Sequence, residues 1–407
     1  MDVVQRILDH NAGREPERLQ MKYDRMRLSP FVFLRGTCHL FYRRLPDDEL
    51  FTTAPRAWCC GDLHFENVGS YEGDNRQTYF DVNDFDEAAL APVTWDLVRL
   101  LSSLRVGADT LGIDAETARA LCRVGVDAYA EALQRGKAFW IERDVADGVV
   151  RELLDHLRQR DRASFLAERT RGKGRSRRLK VDGRRVLKAT DVDQARVRAF
   201  MATFAATRPD PEFFRVLDVE RRVAGTGSLG LPRWVVLVHG DGGEHGPRLL
   251  DLKVSMPSSL DRRLRGVVTQ PAWPDPATRI VTLQQRLQAV PMARLQAVRL
   301  DDQPAVLREL QPTEDRVSLD RATTSPAELR AFVAAMGRLA AWAHLRAGGQ
   351  GGSATADELI DFGRRRKWRE RLLDAAEAMA RQVERDAATY AAAHDDGVFR
   401  VAEAVAG

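Results

Sequence analysis

The chain is poor in cysteine, with four in 407 residues. These are Cys38, Cys59, Cys60 and Cys122. No two stand as Cys-x-x-Cys, so a common zinc-site spacing is missing, and the adjacent Cys59-Cys60 is a poor geometry for an ordinary disulfide. Reduced thiols in a cytoplasmic protein are expected. No run of about 18 apolar residues occurs, which argues against a transmembrane helix and against a membrane partner. The opening MDVVQRILDHNAGREPERLQ carries charges throughout and lacks the apolar core of a secretory signal. A large excess of one charge is missing too. The 63 basic and 59 acidic side chains leave +4, with a pI near 9.0. That balance permits anionic ligands without demanding nucleic acid. No internal repeat is visible. What remains, 44% hydrophobic and 30% charged residues, is an ordinary globular composition. A chain of 407 residues suits two lobes better than one core.

Hydrophobic periodicity divides the chain. Residues 1–45 read as helical, and 56–92 as short strands and loops. Helical periodicity returns over 93–165, in WDLVRLLSSL and ETARALCRVGVDAYAEAL. The run 169–188 holds ten Lys/Arg and one acid, Asp182. Its second half, RLKV-DG-RRVL, predicts a hairpin around Asp182-Gly183. The run has no interleaved aromatics for base stacking, so a nucleic-acid partner is not expected, and a nucleic-acid-binding role rests on this segment alone. From Phe213 to Leu310 most segments read as strands: FFRVLDVERRVAG, PRWVVLVHG and PRLLDLKVS, with a turn at 241–246. A helix, ATRIVTLQQRLQAV, and two further strands follow. AELRAFVAAMGRLAAWAHLRA, a GGQGGSA break and a long charged helix to about Ala393 close the sequence. The expected fold is α+β, with 1–165 and 311–407 forming a larger helical lobe and 166–310 a small β-rich lobe.

The sharpest feature is WCCGDLHFENVG, residues 58–69. An apolar run ends in Gly61-Asp62, and Asn67 follows five residues after Asp62. Asp84 comes 17 residues beyond Asn67, inside YFDVNDFDEA. Each of these residues alone is an ordinary turn former. Together they supply what phosphoryl transfer needs: a carboxylate near the attacking hydroxyl, and oxygen ligands suited to Mg²⁺. DVNDFDE lacks the Gly and Glu of a calcium-binding loop. Asp62 is the candidate catalytic residue, and Asn67 and Asp84 are the candidate metal ligands. His64, Asp86 and Asp96 lie in or beside the same segments as supporting candidates.

Gly225-Thr226-Gly227-Ser228-Leu229-Gly230 matches GxGxxG between two strands, not between a strand and a helix. That context disfavours a dinucleotide fingerprint and fits a glycine-rich hairpin over ATP phosphates. Gly225, Gly227, Ser228 and Gly230 are therefore candidate nucleotide contacts. Lys253, in LLDLKVS on the next strand, either reaches a nucleotide's phosphates or points to water from an edge strand. The helix that follows has no glutamate to pair with it, and Gln284 or Gln285 offers a neutral substitute. Arg35, in SPFVFLRG, either reaches phosphate or bridges to a carboxylate such as Asp84 or Asp96.

GDLHFEN resembles the catalytic loop of the aminoglycoside phosphotransferase branch of kinases. DVNDFDEA with the following WDL resembles that branch's metal strand and next helix. The resemblance implies that Asp62 orients or deprotonates an acceptor hydroxyl, that Asn67 and Asp84 hold Mg²⁺, and that Asp96 steadies the catalytic loop. Over most of the chain SPFVFLRG, WCCGDLHFENVG, YFDVNDFDEA, GTGSLG, LDLKVS and VLRELQP resemble, in the same order, the bacterial domain of unknown function 2252 family. The catalytic-loop pattern precedes the glycine-rich hairpin, the reverse of an ordinary kinase. A circularly permuted protein-kinase-like two-lobe fold is expected, with His344 near the catalytic loop. Asp361, in a literal Ile-Asp-Phe-Gly, is read as a surface helical residue. The function expected is an ATP- and Mg²⁺-dependent phosphotransferase on an unknown, possibly small-molecule, acceptor. Nucleotidyl transfer from the same site and a nucleotide-binding pseudokinase stay open beside it.

Overall fold

A computed structural model describes residues 2–243, 246–311, 315–317, 319 and 324–401. The fold is α+β. The first part opens with four helices: α1 (Val3–Asn11), α2 (Pro16–Met26), α3 (Pro30–Gly36) and α4 (Cys38–Arg44). SPFVFLRG is α3, started by the Ser29 hydroxyl, which accepts from the Val32 N–H, and by Pro30 in the first turn. Four short strands follow: β1 (Arg56–Cys59), β2 (Val68–Glu72), β3 (Thr78–Val82) and β4 (Ala89–Pro92). β1 pairs with β4, so the loop after β1 and the loop before β4 emerge side by side. Next come α5 (Thr94–Val106), α6 (Ala108–Leu111), α7 (Ala115–Arg135), β5 (Ile141–Glu142), α8 (Gly148–Gln159) and α9 (Arg162–Arg169).

The middle of the chain carries β6 (Thr170–Arg171), β7 (Arg178–Leu179), β8 (Val186–Leu187), α10 (Asp191–Ala206), β9 (Val216–Arg222), β10 (Arg233–Val238), β11 (Arg248–Val254), α11 (Asp261–Leu264), α12 (Pro276–Leu287), β12 (Gln296–Leu300) and β13 (Gln303–Leu310). Six of these strands form one antiparallel sheet in the order β12-β13-β11-β10-β9-β8. The hairpin expected around Asp182-Gly183 does not form. The turn is there, with Asp182 Oδ1 accepting from the N–H groups of residues 184–186. Its flanks are two-residue strands that pair elsewhere, β7 with β6 and β8 with β9. Pairs that short are decided by tertiary partners. Here the buried Asp218 takes the Leu179 N–H at 2.8 Å.

The last part is α13 (Pro326–Arg346), α14 (Ala356–Arg364) and α15 (Lys367–Asp395). α13 begins with a Ser325/Glu328 capping box and Pro326. It crosses α7 closely: a Cβ on Gly337 would stand 2.2 Å from the Gly125 carbonyl. Asp361 lies on α14 and pairs with Arg365 one turn on. The long charged helix expected here breaks at Arg365–Arg366, and Gly363 packs against α7 inside α14.

One apolar core joins residues from 3–157, 260–306 and 329–399. A second lies between α10 and one face of the six-stranded sheet, through Val219, Trp234, Val236, Leu250 and Leu252. The opposite face is split along the strand direction. At one end Val235, Leu237 and Leu249 pack on Phe165 and Leu166 of α9. At the other end Arg222, Arg233, Asp251, Lys253 and Arg308 face a cavity. No helix among the described residues is long and apolar enough to cross a membrane.

Candidate active site

β1 ends at Cys59, and the chain turns sharply at Gly61. That residue has φ +81°, and a Cβ there would lie 2.2 Å from the Glu87 carbonyl, so only glycine fits. The turn is fastened from α5. Asp96, buried near the start of that helix, accepts the Cys60 N–H at 2.9 Å and the Gly61 N–H at 2.9 Å. His344, near the end of α13, places Nε2 3.4 Å from Asp96 Oδ2 and Nδ1 2.9 Å from the Tyr129 hydroxyl. Cys59, Asp96 and His344 lie close enough to suggest a metal cluster. The Asp96 oxygens already serve two backbone amides, however, and burial pushes the Cys59 thiol well above its ordinary value. This trio is a packed scaffold behind the loop.

One turn after Asp96, Arg99 points the same way. Its Nε and Nη2 donate to Asp62 Oδ1 at 2.9 and 2.6 Å, and Nη2 also reaches the Leu34 carbonyl at 2.8 Å. The Arg99 side chain is fully buried, whereas Asp62 keeps 19% exposure on a cavity of about 90 Å³. Burial pushes the Asp62 carboxyl up to about 7, against the pull of Arg99. His64 lines the same cavity. Burial holds its imidazole neutral, and its Nδ1 accepts the Glu66 N–H at 3.2 Å.

Asn67 is held by its amide nitrogen, which donates to the backbone carbonyls of Asp62 at 3.0 Å and Asp84 at 3.3 Å. Its Oδ1 is buried without a hydrogen-bond partner. Asp84 lines this cavity and a second one of about 290 Å³ beneath the sheet. Burial pushes the Asp84 carboxyl up, but Lys253, the Asp86 N–H, Arg316 and Arg308 together hold it below the ordinary carboxylate range. An orphaned carboxamide oxygen beside an ionised carboxylate is a hard-oxygen donor set, and it fits Mg²⁺.

Lys253 lies on β11, a central strand between β10 and β13, and its side chain faces the cleft. Its ammonium group pairs with Asp86. Neither suggested glutamine takes that role. Gln284 donates to Gln288 at 3.2 Å and Met292 Sδ at 3.5 Å, and Gln285 is exposed. Arg35 also finds a different carboxylate from those expected. It pairs with Glu66 at 2.5 Å, not with Asp84 or Asp96.

The loop 225–230 joins β9 to β10. Gly225 and Ser228 line both cavities, and Gly227 lines the first. Gly230 turns away: its carbonyl accepts the Glu15 N–H at 2.8 Å, and a Cβ there would meet Arg14 at 2.8 Å. Two basic side chains, Arg14 between α1 and α2 and Lys22 of α2, hold the loop. Arg14 reaches the Gly227 and Leu229 carbonyls at 2.7 and 2.8 Å, and the fully buried Lys22 reaches Gly227 at 2.8 Å. The structure thus brings Asp62, Asn67, Asp84, Asp86, Gly225, Ser228 and Lys253 around one divided cleft.

Sequence reasoning missed Arg99, Arg14, Lys22 and Arg316. Arg99 had a signal, its i+3 spacing from Asp96 on one helix. The others come from segments remote in sequence, and their motifs carry no local mark.

The profile of a family described as an uncharacterized protein conserved in bacteria (DUF2252) matches residues 14–393. No curated protein and no solved structure matches the chain.

Proposed function

The chain belongs to that bacterial family, DUF2252, and from this premise we propose that it is an ATP- and Mg²⁺-dependent phosphotransferase acting on a small-molecule hydroxyl. The observation that carries the reading is the Asn67 Oδ1, buried without a partner beside an Asp84 held ionised. Asn67 Oδ1 and the Asp84 carboxylate would hold Mg²⁺, which would supply positive charge for the phosphate oxygens. Gly225, Gly227, Ser228 and Lys253 offer backbone and ammonium groups to the phosphates. Asp62, titrating near neutrality, takes the proton of the acceptor hydroxyl as that oxygen attacks phosphorus. Arg99 fixes the carboxylate for this task, and Asp96 fixes the turn that carries it.

The parts support a kinase-like design with its order permuted. A glycine-rich loop joins successive strands, the lysine sits on the next strand, and a helix follows it, as in kinases. The catalytic loop comes earlier in the chain. A second reading, a nucleotide-binding pseudokinase, draws on one departure: Lys253 pairs with Asp86 from the metal loop and not with a helix glutamate. Release or transfer of phosphate from γ-labelled ATP separates the two. The phosphotransferase moves the label from ATP to water or to an added hydroxyl acceptor with Mg²⁺ and loses at least a hundredfold in Asp62→Asn. Binding of Mg²⁺·ATP with no release or transfer above the rate in water favours the pseudokinase.

A further inference from the structure

The cavity that holds Asp62 opens outward through a vestibule with Arg25, Leu28, Val32, Arg35 and Arg316 on its walls. Arg35, Gly225, Thr226 and Arg316 line both spaces, so the vestibule adjoins the cavity of the carboxylate. Three guanidinium groups line it, and among the described residues no acidic side chain does. Arg25 is tied only loosely, to the Gly225 carbonyl at 3.4 Å. Arg35 spends one end on Glu66, and its Nε is buried with no hydrogen-bond partner. Arg316 is exposed, and it acts as a like charge on Arg35. Leu28, 74% exposed, and Val32 add an apolar edge.

Nearby carboxylates already have cations of their own. Asp62 is bonded to Arg99, and Asp84 lies in the field of Lys253. An orphaned guanidinium donor close to a second guanidinium calls for an oxyanion, because planar N–H forks match phosphate and carboxylate. We propose that the acceptor is itself an anion: a small hydroxylated molecule bearing a phosphate or carboxylate, its oxyanion held by Arg25, Arg35 and Arg316 while its hydroxyl faces Asp62. In the transfer the acceptor O–H proton passes to Asp62 and the acceptor oxygen bonds to the γ-phosphorus. The bond from that phosphorus to the β,γ-bridging oxygen breaks, and ADP leaves with the electron pair. The acceptor's role at Asp62 rests on the phosphotransferase reading, whereas the anion site does not.

The test is calorimetric titration of inorganic phosphate and of acetate into the full-length protein, with and without saturating Mg²⁺ and a non-hydrolysable ATP analogue. With the analogue bound, wild type takes up one or both anions at millimolar concentration or below. The preferred anion tells a phosphate ester from a carboxylate. Arg25→Gln and Arg316→Gln, changes at partly or fully exposed side chains, each weaken that uptake about tenfold. Arg25→Gln leaves the analogue's affinity within twofold. If neither anion binds wild type, or both variants bind as wild type does, the anionic acceptor is refuted. Anion uptake that persists and responds to the variants while the analogue fails to bind would sink the phosphotransferase reading and keep the anion site.

Discussion

Replacing Asp62 with asparagine removes a titration while keeping a carbonyl oxygen for Arg99. In the folded protein the carboxyl titrates at about 7, against an ordinary 3.8. One pKa unit corresponds to about 1.4 kcal/mol, so ionising Asp62 in the folded state costs roughly 4 kcal/mol more than in the unfolded chain. The folded pKa is raised, so this contribution to stability is fully present below about pH 4 and is lost as pH climbs through 7. Over that interval wild type loses up to about 1.4 kcal/mol per pH unit relative to Asp62→Asn. The variant also exchanges the carboxyl oxygen that accepts from Arg99 for an amide oxygen, a difference of about 1 kcal/mol between two neutral acceptors. That difference is constant with pH and moves only the offset between the two curves. Urea unfolding followed by far-UV circular dichroism, in half-unit steps from pH 4.5 to 8, reads the difference directly. Parallel profiles, or a wild type that gains on the variant as pH rises, would show a carboxylate with an ordinary or depressed pKa. Either result would refute the assignment of Asp62 as a base poised near neutrality.

Other perturbations address the scaffold and the proposed metal ligands. Gly61→Ala forces a Cβ against the Glu87 carbonyl at positive φ, and it should lower stability by about 2 kcal/mol or more, read as a drop in Tm. Asp96→Ala leaves the Cys60 and Gly61 amides buried without their acceptor, a loss of about 3–5 kcal/mol in urea unfolding. Asp84→Asn should abolish metal-dependent nucleotide binding in calorimetry, whereas Asp361→Asn, on an exposed ion pair of α14, leaves it within twofold. The reverse pattern would mean that the permuted order is wrong.

The loops were the legible part of this sequence. Gly61 has few substitutes in its tight turn, and the spacing of Asp62, Asn67 and Asp84 carried to three dimensions, where all three line one cavity. The long helices were legible too, because capping residues and 3.6-residue periodicity agree at α7 and α13. Pairing was harder to read. The turn at Asp182 was visible, but the partners of β7 and β8 depend on Arg171 and Arg222, one near in sequence and one remote. α10 passed unnoticed because its buried side chains are few: Val197, Met201, Phe204 and Ala205. Ion pairs were the least legible. A sequence shows that Lys253 lacks a helix glutamate, yet nothing local says that Asp86, 167 positions earlier, takes its place. Nor does anything local say that Arg14 and Lys22 will clamp a glycine-rich loop more than 200 residues away.

The central claim is that Asn67 and Asp84 join Mg²⁺ to a nucleotide beneath the loop 225–230. Thermal unfolding with ATP, with and without Mg²⁺, on wild type and on Asp84→Ala tests it most directly. A ligand that binds only the folded state at a hundred times its Kd adds about 2.7 kcal/mol, several degrees of Tm. The account predicts that rise in wild type with Mg²⁺, little of it without the metal, and none in Asp84→Ala. A wild-type Tm that ignores ATP in the presence of Mg²⁺, or an equal rise in Asp84→Ala, would contradict it.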